Sequence, residues 1–296
     1  MSAHEPDHPA PYSASVLAVL ELILQEETER QGRRLRVLDP FGGVGRIHLL
    51  EEHADTFSTE IQHRWASTVP GRSITANARH LPVATRSVDI IMTSPCYGNR
   101  MADTYDGSGD RCTAPGCDAG NVGDASPDGW VDCETCMGSG FAVSKRYTYT
   151  IAHGSKLHPD NAAAGMHWGA GKRGDRYREL HRAVWRECYR VLRPGDLGPD
   201  GEGPRERGGL FVLNVSNFYR GVGPKHDRRQ EMQLVTEWHL DALLRLGLVV
   251  VEARRVTTPR MGNGANRDAR CEAETVLVFR RPDLPPTRPQ GVLLDA

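Results

Sequence analysis

Val88-Asp89-Ile90-Ile91-Met92-Thr93-Ser94-Pro95-Cys96-Tyr97-Gly98-Asn99 is the stretch whose reading decides the fold. A short apolar, partly β-branched run gives way to a small hydroxyl residue, a proline, a thiol and an aromatic. The run predicts a strand buried on both faces, hence a parallel one, and the break predicts the loop leaving its C-terminal end. In open α/β sheets that edge is where ligands bind and chemistry is placed.

A second unit of the same kind lies upstream. Leu35-Arg36-Val37-Leu38-Asp39 predicts the first strand, opening into Pro40-Phe41-Gly42-Gly43-Val44-Gly45 and then a helix through Glu52. Strand, glycine-rich turn and helix form the unit in which backbone approaches a nucleotide-like ligand. Thr56 to Glu60 predicts a second strand ending in a carboxylate, placed where an acidic side chain can accept both hydroxyls of a ribose. Ile74 to Arg79 reads as a third strand and turn. Nearer the N-terminus, Ser13 can cap a helix from Ala14 to Glu29, with Val16, Leu17, Leu20, Ile23 and Leu24 on one face.

Downstream, Tyr177 to Leu192 predicts a helix stopped by Pro194-Gly195, followed by a hydrophilic loop from Asp196 to Gly208. Leu210 to Val215 predicts another buried strand, and Arg229 to Leu246 a helix ended by Gly247. Leu248 to Val256 and Glu274 to Arg280 predict two strands paired across the intervening loop. The fold class is therefore α/β, with a core made of residues 14–98 and 175–281. A loosely held N-terminus (1–13), an insertion (99–174) and an irregular proline-bearing tail (282–296) complete the organisation.

The insertion has little periodicity, much Gly, Asp and Ser, and four cysteines. Cys112-x4-Cys117 and Cys133-x2-Cys136 give two close thiol pairs that suit one tetrahedral Zn²⁺, with free thiols or redox use as alternatives. Cys136-Met137-Gly138-Ser139-Gly140 resembles the knuckles of zinc-bearing co-chaperones. Bound metal would let a loop with so little apolar content fold. His153, His158 and His167 read as ordinary loop residues, and Cys188 and Cys271 as packing residues.

A chain of 296 residues with 39% hydrophobic content buries a sizeable core, and its formal charge of -1 leaves any nucleic-acid affinity to local basic patches. Such patches are Lys172-Arg173-Arg176-Arg178, Lys225-Arg228-Arg229 and Arg254-Arg255-Arg260-Arg267-Arg270; each reads equally as a solvated face or a phosphate contact. No apolar run approaches the roughly 20 residues that span a bilayer, so a soluble, cytoplasmic protein without a membrane partner is expected.

The Leu38-Asp39-Pro40-Phe41-Gly42-Gly43-x-Gly45 run and the Ser94-Pro95-Cys96-Tyr97 loop resemble motifs of the S-adenosylmethionine-dependent DNA methyltransferases that modify exocyclic amino groups. Ala76-Asn77-Ala78-Arg79-His80-Leu81-Pro82 is similar to that family's Gly-Asp-Ala-Arg-x-Leu-Pro segment, with Asn77 in place of the aspartate. His8-Pro9-Ala10-x-Tyr12-Ser13 resembles the segment beside the methionine end of the cofactor. The resemblance covers about residues 8–100 and 175–281. It implies a Rossmann-like, seven-stranded, mostly parallel sheet with an antiparallel last strand, and duplex DNA as partner with the target base flipped out.

Carried over residue by residue, the resemblance places Asp39, Phe41, Gly43 and Gly45 along the methionine and ribose side of S-adenosylmethionine. Glu60 would hold the ribose hydroxyls and Asn77 would meet the adenine edge. Ser94 and the Pro95 carbonyl would accept hydrogens from the target amine, cytosine N4 or adenine N6, and Tyr97 would stack on the flipped base. The cysteine-bearing insertion lies outside the resemblance; its place right after the loop suits target recognition, and a stabilising knuckle alone is the alternative. Three alternatives stay open. Pro95-Cys96 is also the nucleophile pair of cytosine-C5 methyltransferases, although leucine stands at 213 where their second signature, Glu-Asn-Val, needs an acid. Tyr97-Gly98 is shared with guanine-N2 transferases acting on RNA. A catalytically inactive, zinc-dependent DNA-binding protein is the third.

Overall fold

In the computed structural model, seven strands hydrogen-bond into one sheet. The structure describes residues 12–61, 63–69, 71–95, 117–118, 121–122, 131–132, 172–197, 204–222, 229–258, 271 and 273–282. After helix α1 (Ala14–Gln31) come β1 (Leu35–Asp39), β2 (Ala54–Glu60), the short α2 (His63–Ala66), β3 (Ser73–Thr75) and β4 (Ile90–Thr93). Three two-residue strands follow, β5 (Cys117–Asp118), β6 (Asn121–Val122) and β7 (Val131–Asp132), paired as an antiparallel ribbon. Then come α3 (Lys172–Val191), β8 (Asp196–Leu197), β9 (Pro204–Glu206), β10 (Leu210–Val215), β11 (Phe218–Val222) and β12 (Arg229–Gln233). The chain continues through α4 (Val235–Arg245), β13 (Val249–Thr257) and β14 (Ala273–Arg280).

The sheet order is β3-β2-β1-β4-β10-β14-β13. Every pairing from β3 to β10 is parallel, and β14 runs antiparallel to both β10 and β13. This is the Rossmann-like arrangement with a reversed final strand that the sequence resemblance implied. Starting at β1 and stepping outward in both directions places the strand ends Asp39, Glu60, Thr93 and Val215 along one edge.

Period-2 alternation sorts the core into two layers. Val37, Ile90, Met92, Leu210, Val212, Val276 and Val278 face α1, which buries Val16, Leu20, Ile23 and Leu24 against them. Leu38, Ile91, Phe211, Leu213, Leu277 and Phe279 face α3 and α4, including Trp185, Cys188 and Leu243. Each fully buried aliphatic or aromatic side chain contributes about 1.5–3 kcal/mol, so neither layer is dispensable. Cys188 has the packing role its sequence position suggested. Ser13 Oγ accepts from Val16 N at 3.2 Å to start α1, and Gly32, at φ 63°, ends it. Asp89, an acid inside the central apolar run, is buried at the opposite edge from the loop. There Arg33 binds it through two nitrogens at 2.7 and 2.9 Å, and Arg36 N donates to it.

Three predicted elements differ. The segment after Gly45 makes one 3₁₀ turn, Arg46–Leu50, rather than a helix through Glu52. The chain must return to pair Ala54 with Leu35, and the His48 ring pins the turn to β2 through Thr56 Oγ1 (2.9 Å) and Ser58 Oγ (3.1 Å). The predicted helix Arg229–Leu246 begins only at Val235, because Arg229–Gln233 pairs with Phe218–Val222 as a hairpin. Asn217 Oδ1, beside that hairpin, caps the shortened helix by accepting from Thr236 N at 2.8 Å. The loop predicted for Asp196 to Gly208 contains the small β8–β9 ribbon. Among the described residues, no helix is long and apolar enough to cross a membrane.

Candidate functional site

The glycine loop after β1 is sewn to the end of β2. Gly42 N donates to Thr59 O (2.9 Å), Thr59 Oγ1 donates to Pro40 O (3.0 Å), and Gly43 N donates to Glu60 Oε2 (3.0 Å). Two glycines are demanded by this packing. A Cβ on Gly42 would lie 2.5 Å from Ser58 Cβ, and Gly45 sits at φ 77° with Val69 Cγ2 2.5 Å from where its Cβ would be. Gly43 also has positive φ, at 53°.

Asp39, at the end of β1, is held through both of its oxygens. Its Oδ1 accepts from Thr93 Oγ1 (2.8 Å) and Phe41 N (3.0 Å), and its Oδ2 accepts from Tyr12 Oη (2.9 Å). Burial pushes its carboxyl up to about 6, against the pull of the Thr93, Phe41 and Tyr12 hydrogen bonds. Tyr12 is thus brought against Asp39, while residues 8–11 of the same motif lie outside the described residues. Asp39 and Glu60 are both buried and end adjacent strands on either side of the glycine loop. Two carboxylates there, with the half-buried Phe41 ring, form an acceptor set that fits a nucleoside carrying a positive charge.

Asn77 lies in the loop after β3, which Ala76 N ties to Glu60 O at 3.0 Å; its own Oδ1 accepts from Arg79 N, also at 3.0 Å. It therefore stands near Glu60, with its amide oxygen already engaged in a local turn.

At the next strand, Thr93 turns its hydroxyl to Asp39 while Ser94 turns the other way. Ser94 Oγ accepts from Asn214 Nδ2 at 3.3 Å, and the same Nδ2 donates to Glu274 Oε2 at 2.5 Å. Pro95 is buried. Cys96 and Tyr97 lie outside the described residues, as do Cys112, Cys133, Cys136 and the three loop histidines; of Cys117 only its place in β5 is described. Among the described residues the edge thus gathers Asp39, Phe41, Gly43, Gly45, Glu60, Asn77, Ser94 and Pro95 from four strand ends. Arg254, from one of the basic clusters, is ion-paired with Glu26 (3.1 Å) and Glu252 (2.8 Å).

Thr93, Asn214 and Glu274 were given no role in the sequence reading. A signal existed for Asn214: a lone amide near the end of the apolar run Leu-Phe-Val-Leu-Asn-Val must find partners once buried. Beneath Phe41 lies a buried stack from α3 and α4, with His181 at 5.8 Å and Trp185 edge-on at 6.1 Å. Trp185 Nε1 donates to His239 Nδ1 (3.1 Å), so His239 Nε2 carries the hydrogen and donates to Tyr177 Oη (2.9 Å). His181 Nδ1 donates to Tyr177 O at 2.8 Å. Burial drives both imidazoles to the neutral form, His181 down to about 4 and His239, with His181 beside it, well below its usual value.

No family model matches the chain, and no curated protein does. Among solved structures, it is similar to an S-adenosylmethionine dependent methyltransferase from Mesorhizobium loti. The two share 11% identity over 91% of this chain and 99% of the other, with a TM-score of 0.44. It is also similar to the N-methyltransferase NodS from Bradyrhizobium japonicum (10% identity, 90% and 95% covered, TM-score 0.39). A third is the 1,6-didemethyltoxoflavin-N1-methyltransferase from Burkholderia thailandensis (16% identity, 93% of each chain, TM-score 0.37). Likeness at this level concerns the fold alone, which the strand order already establishes.

Proposed function

We propose that this chain is an S-adenosylmethionine-dependent methyltransferase acting on the exocyclic amino group of cytosine (N4) or adenine (N6) in duplex DNA. The observation that carries the reading is the Thr93–Asp39 hydrogen bond of 2.8 Å, which joins the carboxylate-and-glycine half of the edge to the Ser94–Pro95 half. When bound, S-adenosylmethionine supplies an electrophilic methyl group on a sulfonium sulfur. Asp39, Glu60 and the glycine loop hold and orient that molecule. The target amine is a poor nucleophile because its lone pair is delocalised into the ring. Ser94 Oγ and the Pro95 carbonyl accept its hydrogens, which favours a pyramidal nitrogen with its lone pair aimed at the methyl carbon. On transfer the sulfonium would keep the electron pair of its carbon–sulfur bond, and the methylated amine would lose its extra proton to water. Tyr97 stacks on the base once it is flipped out. A Zn²⁺ held by Cys112, Cys117, Cys133 and Cys136 belongs to the same reading as a support for target recognition, and carries no chemical step.

The test is methyl transfer from labelled S-adenosylmethionine to duplex DNA and to transfer RNA, with digestion to nucleosides and mass identification. N4-methylcytosine or N6-methyladenine supports the reading and settles the base. Ser94→Ala then lowers the rate strongly while Cys96→Ser leaves substantial activity. C5-methylcytosine moves the chemistry to Cys96 and overturns the amino-methyl mechanism. Label in RNA alone replaces the substrate.

A further inference from the structure

We propose that Glu21, Gln25, Glu52 and His53 form a binding site for a divalent transition-metal ion such as Zn²⁺, which fastens α1 to the start of β2. The inference is independent of the proposed activity, because the cluster lies at the far edge of the sheet from the cofactor residues. Glu60 ends the strand that Ala54 begins, about 20 Å away at about 3.3 Å per residue.

Two separate pieces of chain meet there. Glu21 and Gln25 stand one turn apart on the same face of α1. Glu52 and His53 close the turn after Leu50, where His53 N donates to Leu50 O at 3.1 Å. Arg34 holds this corner by donating to the carbonyl oxygens of Glu51, Glu52 and Ala54. The side chains converge on one point. His53 Nε2 lies 2.9 Å from Glu21 Oε1 and 3.5 Å from Glu52 Oε1, and one ligand atom from each of the three residues falls within 4.8 Å of the others. Gln25 Nε2 is 3.5 Å from the same ring nitrogen and 3.4 Å from Glu21 Oε1.

Hydrogen bonding alone leaves this convergence unresolved. His53 Nε2 carries at most one hydrogen. With it, the nitrogen offers a single donor to two carboxylates and opposes the Gln25 NH₂ group, which is also a donor. Without it, the ring lone pair faces the carboxylates. A cation at the centre satisfies every group at once: it takes the imidazole lone pair and one oxygen from each carboxylate. Gln25, turned by half a rotation about its last bond, supplies its amide oxygen as the fourth ligand. Bonds of about 2.0–2.2 Å to a tetrahedral ion set neighbouring ligand atoms about 3.4 Å apart. The observed 2.9 and 3.5 Å straddle that spacing. One imidazole among oxygen ligands suits Zn²⁺ and its first-row neighbours better than Mg²⁺ or Ca²⁺, which take oxygen alone. Glu21 and His53 are half-buried and Glu52 is exposed, so the ion enters from solvent without disturbing the core.

The probe is Zn²⁺ alone, titrated calorimetrically into the metal-stripped full chain. Wild type is expected to bind one more Zn²⁺ than His53→Gln, and one more than Glu21→Gln. Any ion held by the cysteines is common to all these proteins and cancels. Glu51→Gln, at a neighbouring carboxylate that pairs with Arg72, is expected to keep the wild-type stoichiometry. Equal stoichiometry in wild type and His53→Gln overturns the site. Loss of the ion in Glu51→Gln overturns it as well, since diffuse attraction to surface charge then accounts for the binding.

A thermal scan tests the fastening. With free Zn²⁺ about a hundredfold above the dissociation constant, the melting temperature of wild type should rise by about 5 °C more than that of His53→Gln. Each protein is measured against its own metal-free sample, so a variant that is merely less stable does not imitate the result. An equal rise in both proteins overturns the proposal.

Discussion

Replacing Asp39 by asparagine should stabilise this protein at neutral pH. Asp39 is buried, with its carboxyl raised from 3.8 to about 6 chiefly by burial. A raised carboxyl contributes stability that is fully present below its unfolded value and is lost as pH rises through its folded value. Above both values the ionised form costs about 3 kcal/mol, from roughly 2 units at 1.36 kcal/mol each. Asparagine is nearly isosteric and keeps the bonding. Its Oδ1 accepts from Thr93 and Phe41 N, and its Nδ2 donates to Tyr12 Oη, whose hydrogen turns to the Met92 carbonyl at 3.4 Å. The assay is urea unfolding of both proteins from about pH 4.5 to about pH 7.5. The stability of Asp39→Asn minus that of wild type should grow by about 2 kcal/mol across that range, since part of the difference is already present at the acid end. Other titrating groups occur in both proteins and cancel. A difference that stays flat with pH refutes the argument. On the proposed function, the stabilised variant binds S-adenosylmethionine more weakly, a trade of activity for stability.

Three further substitutions check other parts of the site. Gly42→Ala should destabilise by about 1–3 kcal/mol, because its Cβ meets Ser58 Cβ at 2.5 Å and the loop cannot retreat without releasing Thr59; thermal unfolding reads the loss. Glu60→Gln should weaken S-adenosylmethionine binding about tenfold in a calorimetric titration, because a charged acceptor becomes a neutral amide. Trp185→Phe replaces the buried indole by a smaller ring and removes the N–H that His239 Nδ1 accepts, so urea unfolding should show a loss of at least about 1–3 kcal/mol.

Strands were legible in the sequence where burial and propensity agree. Leu35–Asp39 and Leu210–Val215 have the predicted ends, because each dense apolar run is bounded by polar or turn-forming residues on either side. Arg229–Gln233 was misread because its polar residues fit an exposed helix as well as an edge hairpin, and the partner strand Phe218–Val222 decides between them. The site divides along the same line. Asp39, Glu60 and Ser94 stand at the ends of recognisable strands. Tyr12 meets Asp39 only after folding, and Glu274 reaches the neighbourhood of Ser94 only through Asn214. Thr93 was in view from the outset, yet its role depends on Asp39 arriving beside it.

The reversal of β14 has a consequence for how such a protein can diversify. Because Thr257 pairs with Ala273, the segment 258–272 departs from and returns to the edge that holds Ser94. The segment after Pro95 leaves from that edge as well. Both can change length and composition while the two core layers keep their register, since the hydrogen bonds that fix the sheet end before them. The stability of the sheet and the makeup of these two connections are thereby written in different stretches of one chain, free to drift at different speeds.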